Sequence, residues 1–182
     1  IDTANPQPQV ELYQRYLEIG NYSEAIDVLA NLFSNEFISS QEKVRLFYPL
    51  LFEQSIYNNH FNKLDQLVDS ALAKHPEEIF IHELSYEHYI RRRNFKQARV
   101  ALQILTLLDE ETPTRWEKLI SFDYSMQKKE LVIYNSIKAS KLFPDQSIFY
   151  IFQALILDEL NDTDNAIFVL SQGVYNCLLY TS

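Results

Sequence analysis

Apolar positions recur along the chain at steps of four and then three. Ala25, Leu29 and Leu32 form one set; Leu64, Val68 and Ala71 form another; Ala98, Leu102 and Leu105 form a third. Positions four and seven apart share one face of an α-helix, so each set predicts a helix with one buried side. Val132, Ser136 and Ala139, then Ala166, Leu170 and Gly173, complete the series. Each set opens at the end of a short polar turn. These turns are Gly20-Asn21-Tyr22-Ser23-Glu24, Asn59-His60-Phe61-Asn62-Lys63, Arg93-Asn94-Phe95-Lys96-Gln97, Gln127-Lys128-Lys129-Glu130-Leu131 and Asn161-Asp162-Thr163-Asp164-Asn165. The sets begin at 25, 64, 98, 132 and 166, which gives spacings of 39, 34, 34 and 34. Such self-similarity is the mark of a repeat architecture in which stacked units bury one another's apolar faces.

The chain is therefore read as a leader (1–8), a repeat array (9–176) and a tail (177–182). The array holds five units, at about 9–38, 40–77, 79–111, 113–145 and 147–176, each a first helix, a turn and a second helix. The extra residues between the first two units fall near 35–41. There Ser39-Ser40-Gln41-Glu42 reads as a capping box, with Glu42 three after Ser39. A long helix starting there would carry Pro49 in its interior and kink at it.

Three consecutive spacings of 34 match the tetratricopeptide period, and the chain resembles the tetratricopeptide repeat (TPR) family from Gln9 to Asn176. Pro76 and Pro144 stand where that family closes a unit; Tyr48, Trp116 and Tyr150 stand as bulky starters of first helices. The family's small residue in the middle of the first helix is matched only by Ala154; the other units have Tyr13, Phe52, Tyr86 and Ile120. Ser136 departs in the large apolar column. The resemblance implies an all-α fold, a right-handed α-solenoid of five antiparallel helix pairs. It also implies a protein-interaction scaffold that binds a peptide or protein segment in its concave groove. By register, the groove would display Gln14, Glu18, Glu53, Tyr57, Glu83, Glu87, Arg91, Glu117, Tyr124, Phe152, Asp158 and Glu159. Such an acidic, aromatic-studded surface favours a basic or amphipathic partner. One TPR subtype grips acidic chaperone tails with lysine and asparagine; here those columns hold Glu53, Glu83, Glu87 and Glu117. An acidic C-terminal peptide is accordingly expected to show no measurable heat of binding in calorimetry.

Composition narrows the field. Two glycines, Gly20 and Gly173, in 182 residues argue against an all-β chain, and an apolar fraction of 47% supports a packed interior. A net charge of −9 repels phosphate backbones and anionic lipid, so neither nucleic acid nor membrane surface is expected as a partner. No apolar run approaches the roughly 18–20 residues that span a bilayer. Cys177-Leu178-Leu179-Tyr180-Thr181-Ser182 matches an in-frame transposase-end sequencing adapter, and the tail is read as adapter-derived. With Ile1 in place of a methionine, the expectation is a clipped product whose array once continued. The last helix still carries Ile167, Phe168, Val169 and Leu170, so self-association through uncapped array ends is expected, and light scattering checks it.

Candidate chemistry is sparse. His82-Glu83-Leu84-Ser85-Tyr86 begins like a zinc-protease helix, but position 86 is tyrosine and His88 lies six from His82. His60 sits in a turn, and His75 precedes Pro76 at a helix end, where a cation suits the dipole. Two glycines cannot build a phosphate-binding loop. No metal, cofactor or catalytic residue is expected, and the chain is not read as an enzyme. Arg91-Arg92-Arg93, with Lys96 and Arg99, fits either an acidic partner or cations stabilising a helix C-terminus; the second reading is preferred.

The leading reading is thus a scaffold. The alternative is a repeat sensor or regulatory module of a larger protein, taking a small ligand or peptide signal. The runs at 107–109, 116–120 and 138–146 also resemble bacterial cell-envelope TPR proteins, which implies a periplasmic or outer-membrane-associated location.

Overall fold

The structure is a computed structural model and describes residues 5–180. The leader's first four residues and the last two of the tail lie outside the described residues. Among the described residues there are eleven helices and no strand: α1 (Gln7–Glu18), α2 (Tyr22–Ser34), α3 (Ser40–Phe52), α4 (Gln54–Asn59), α5 (Phe61–Lys74), α6 (Ile79–Arg91), α7 (Phe95–Leu108), α8 (Pro113–Ser125), α9 (Lys129–Leu142), α10 (Ser147–Glu159) and α11 (Thr163–Tyr180). The chain divides after Ala101 into two compact units.

In the first unit α1 packs on α2, α2 on α3 and α5, and α6 on both α3 and α5. In the second, α8 packs on α9, α9 on α10 and α10 on α11. Second helices thus pack against the first helix of the next pair, as a helix-pair solenoid requires. The apolar columns explain why. Ala25, Leu29 and Leu32 are fully buried, as are Leu64, Val68, Ala98 and Leu102. In the second unit Trp116, Ile120, Val132, Ala139, Phe149, Phe152 and Ile156 make one core cluster.

Four of the five turns share one backbone device. Gly20, Arg93, Gln127 and Asn161 all take positive φ, between 54° and 71°. In each, the next residue's N–H reaches a carbonyl five positions back: Asn21 to Tyr16, Asn94 to Tyr89, Lys128 to Asp123 and Asp162 to Leu157. The left-handed residue donates to the carbonyl three back, which completes a Schellman motif. Only the first turn uses glycine. A non-glycine residue there is strained by about 1–2 kcal/mol. Gln127→Gly should therefore raise stability by about 0.5–1 kcal/mol after glycine's extra unfolded-state entropy is subtracted. A denaturant midpoint at unchanged slope measures it.

A second device recurs at the same period. The His82 Nε2–H donates to the Pro76 carbonyl (2.8 Å), the Trp116 Nε1–H to that of Glu110 (3.0 Å), and the Tyr150 O–H to that of Pro144 (3.2 Å). Each bond spans six residues and ties the inter-unit loop to the helix it precedes. His82, the residue that begins the zinc-like string, is the loop-tying ring of its repeat.

The second pair breaks the pattern. Ser39 caps α3 by accepting from the Glu42 N–H, but the Glu42 carboxylate pairs with Arg45, so one half of the expected capping box forms. Pro49 sits inside α3 without ending it; the break comes at Glu53, in extended backbone. There the Glu53 carboxylate accepts from the Ser55 N–H and caps α4. The break turns Ile56 and Tyr57 inward, while Tyr48 and Phe52 lie on the face of α3 away from its buried residues.

Candidate functional site

In the first unit, α1 places Gln14 and Glu18 in solvent, while Tyr13 beside them is buried and donates to the Leu46 carbonyl (2.7 Å). On α6, Glu83 and Glu87 are half-buried and Arg91 is exposed. Glu53 is half-buried and engaged in the α4 cap. Tyr57, expected at the groove surface, is 7% exposed, and the break at Glu53 is the reason.

Tyr57 instead joins a polar network that binds α4, α5 and α6. Its O–H donates to His88 Nδ1 (3.2 Å), and the His88 Nε2–H donates to Asp65 (2.7 Å). Burial pushes the Tyr57 phenol well above its ordinary value, which keeps it a donor. Arg92 completes the set with two bonds to Asp65, at 3.0 and 3.1 Å, while its guanidinium lies over the Phe61 ring. Tyr89 donates in parallel to Asp69. Of the basic run, Arg92 is thus an internal strut, Arg93 is a turn residue and Arg91 faces outward over Phe52. No motif announces this network. The available signal is His88, a polar residue at an inward position of α6.

His88 is fully buried, and burial lowers its pKa below 6.5 despite the opposing pull of Asp65. The unfolded chain therefore binds more protons than the folded one just below that value. Stability contributed by neutral His88 is complete above about pH 6.5 and is lost as pH falls from there toward the lower folded value. The urea midpoint should drop as pH falls below about 6.5, and His88→Gln should flatten that stretch of the profile.

His75 also differs from expectation. Its Nε2 lies 3.1 Å from the Lys43 ammonium of α3, and the basic residue in the last turn of α5 is Lys74. The two histidines of α6 serve different neighbours: His82 ties a loop, and His88 bridges Tyr57 and Asp65. Among the described residues no group of three histidine, cysteine or acidic side chains is placed to hold a metal ion.

In the second unit, Glu117, Tyr124, Asp158 and Glu159 are exposed, and three of the expected site residues meet. Tyr124 donates to Glu159 (3.2 Å) and packs its ring against Phe152, with centroids 5.8 Å apart. Phe152 itself is 9% exposed; it belongs to the core cluster and not to an open face. Lys129 bonds Glu159 at 2.9 Å, which holds that carboxyl below its ordinary range. Tyr124, Lys128, Lys129 and Glu159 ring a pocket of about 420 Å³ floored by Val132 and Ile156. Gln153, on the next turn of α10, reaches the Ser136 carbonyl and the Ser140 hydroxyl. The Ser136 hydroxyl, in the large apolar column, donates to the Val132 carbonyl one turn back in its own helix (2.6 Å).

No protein-family model matches the chain, and no curated protein matches it. Solved structures of MamA do. One crystal structure of MamA superposes with a TM-score of 0.58 at 12% identity, covering 96% of this chain and 92% of that one. The AMB-1 protein gives 0.57 at 12%, over 94% and 92%. A MamA segment from Desulfovibrio magneticus RS-1 gives 0.53 at 14%, over 97% and 96%. At such identities the likeness shows the fold alone: this chain is an all-α, TPR-like helix-pair solenoid.

Proposed function

We propose that the chain is a protein-interaction scaffold whose first helices hold a basic or amphipathic protein segment. One observation carries the reading. First helices bury one face in pair packing and keep carboxylates on the other, with Glu18, Glu117, Asp158 and Glu159 exposed and Glu83 and Glu87 half-exposed. With a net charge of −9, such faces attract cationic segments over about a Debye length, roughly 8–10 Å at ordinary salt. The test is fluorescence anisotropy with an arginine-bearing amphipathic helical peptide and an acidic peptide. The basic peptide should bind and weaken steadily with added salt. Salt-insensitive binding, or preference for the acidic peptide, overturns the reading.

A second reading, a module that takes a small ligand, draws on the pocket beside Tyr124. Its volume of about 420 Å³ lies within the range of small-molecule sites. Its rim is charged, with Glu159 and Lys129 already paired across it. That leaves the scaffold reading in front.

A further inference from the structure

The end of α3 leaves two aromatic rings in solvent. Phe52 is 71% exposed and Tyr48 is 46% exposed. The rings stack on each other, with centroids 6.4 Å apart and planes 23° from parallel. The equivalent columns elsewhere are less exposed: Tyr86 is half-buried and Ile120 and Ala154 are buried in that of Phe52, and Trp116 and Tyr150 are buried in that of Tyr48. The rings are out because α3 buries its other face, at Val44, Leu46, Phe47, Leu50 and Leu51. The pair is a preformed platform, since each ring fixes the other's orientation.

The platform already carries a cation. The Arg91 guanidinium of α6 lies over the Phe52 ring, 5.1 Å from its centroid. The charges of Arg91 and Glu87 both act on Tyr57, which places this corner of α6 beside α4. We propose that the Tyr48–Phe52 pair is the seat for an arginine or lysine side chain of a bound protein, with Arg91 as the chain's own occupant. This rests on the scaffold reading and names the partner chemistry at one point of it. Two observations and one principle favour a cation over an aliphatic group. The ring face accepts a guanidinium here. An aromatic face attracts a cation through its quadrupole. The chain's charge of −9 complements a basic segment.

The proposal predicts opposite signs for two substitutions at exposed positions, where folding is not at stake. The probe is a labelled helical peptide with arginines on one face and leucines on the other, together with its citrulline counterpart, titrated against the intact chain by fluorescence anisotropy. Phe52→Leu keeps the apolar surface and removes the quadrupole, so it should weaken the arginine peptide about fivefold and leave the citrulline peptide unchanged. Arg91→Ala vacates the seat and should tighten the arginine peptide about threefold. Equal binding of the two peptides, no effect of Phe52→Leu, or weaker binding in Arg91→Ala overturns the seat. If Glu117→Gln still weakens the arginine peptide in those cases, the scaffold reading stands without it. An arginine peptide that does not bind the unaltered chain overturns both.

Discussion

Asp65→Ala is expected to destabilise the first unit by about 3 kcal/mol, because it strands a buried imidazole and releases a guanidinium together. Asp65 accepts from His88 at 2.7 Å and from two nitrogens of Arg92. The two donors are not equally vulnerable. The Arg92 side chain is 28% exposed and can turn to water, so its loss is modest. The His88 side chain is fully buried; its Nε2–H would lose its partner with no solvent to replace it. The penalty of an unmet buried donor, about 1–3 kcal/mol, therefore dominates. Asp65→Asn keeps an acceptor oxygen and should recover part of the loss. Chemical denaturation followed by far-ultraviolet circular dichroism measures both. An Asp65→Ala midpoint equal to that of the unaltered chain would show that the network holds nothing together.

Gly173→Leu should cost about as much in the second unit, through overpacking. A Cβ built at Gly173 falls 2.9 Å from both Cβ and Cγ of Tyr150. The Tyr150 Cβ is bonded to the backbone of α10, so it cannot swing aside as a side-chain tip can. Tyr150 is also held by its bond to the Pro144 carbonyl and by the Asn176 amide that donates to its hydroxyl (2.8 Å). Extra atoms at 173 must push α11 off α10, at about 1–3 kcal/mol or more. Better helix propensity returns only about 1 kcal/mol, so the clash wins. Gly173→Ala is the milder probe, in which the two effects oppose each other most closely. Hydrogen exchange in α11 should quicken in the leucine variant, and unchanged protection there would refute the account.

Much of the fold was legible in the sequence because repeats write their period into the chain. The register of 34 located the turns at 93, 127 and 161, and the inward columns fell on buried residues except at Leu170, which is exposed in the last helix. The hidden part depends on contacts between distant positions. Tyr57 and Phe52 obey the period faithfully, yet one is buried and the other exposed, because a single break at Glu53 rotates the residues of α4 relative to those of α3. Phe152 is apolar on a groove-facing register, but the Tyr124 ring covers it. His82 looks like half a metal motif until its bond to Pro76 is seen beside those of Trp116 and Tyr150. The Asp65 network joins positions 20 to 31 residues apart, and no short pattern encodes that.

The loop-tying rings bear on how the chain folds. Each closes a loop of six residues, so little chain entropy is spent before the bond forms. A first helix can therefore fix its start before any neighbouring pair has arrived. Three such starting points spaced along the chain, with an imidazole, an indole and a phenol as interchangeable donors, allow folding to begin at any of them and spread outward. The kinetics should then match the rapid, locally governed regime of low-contact-order proteins. Removing one ring would slow the start of its own repeat and leave the other starting points intact.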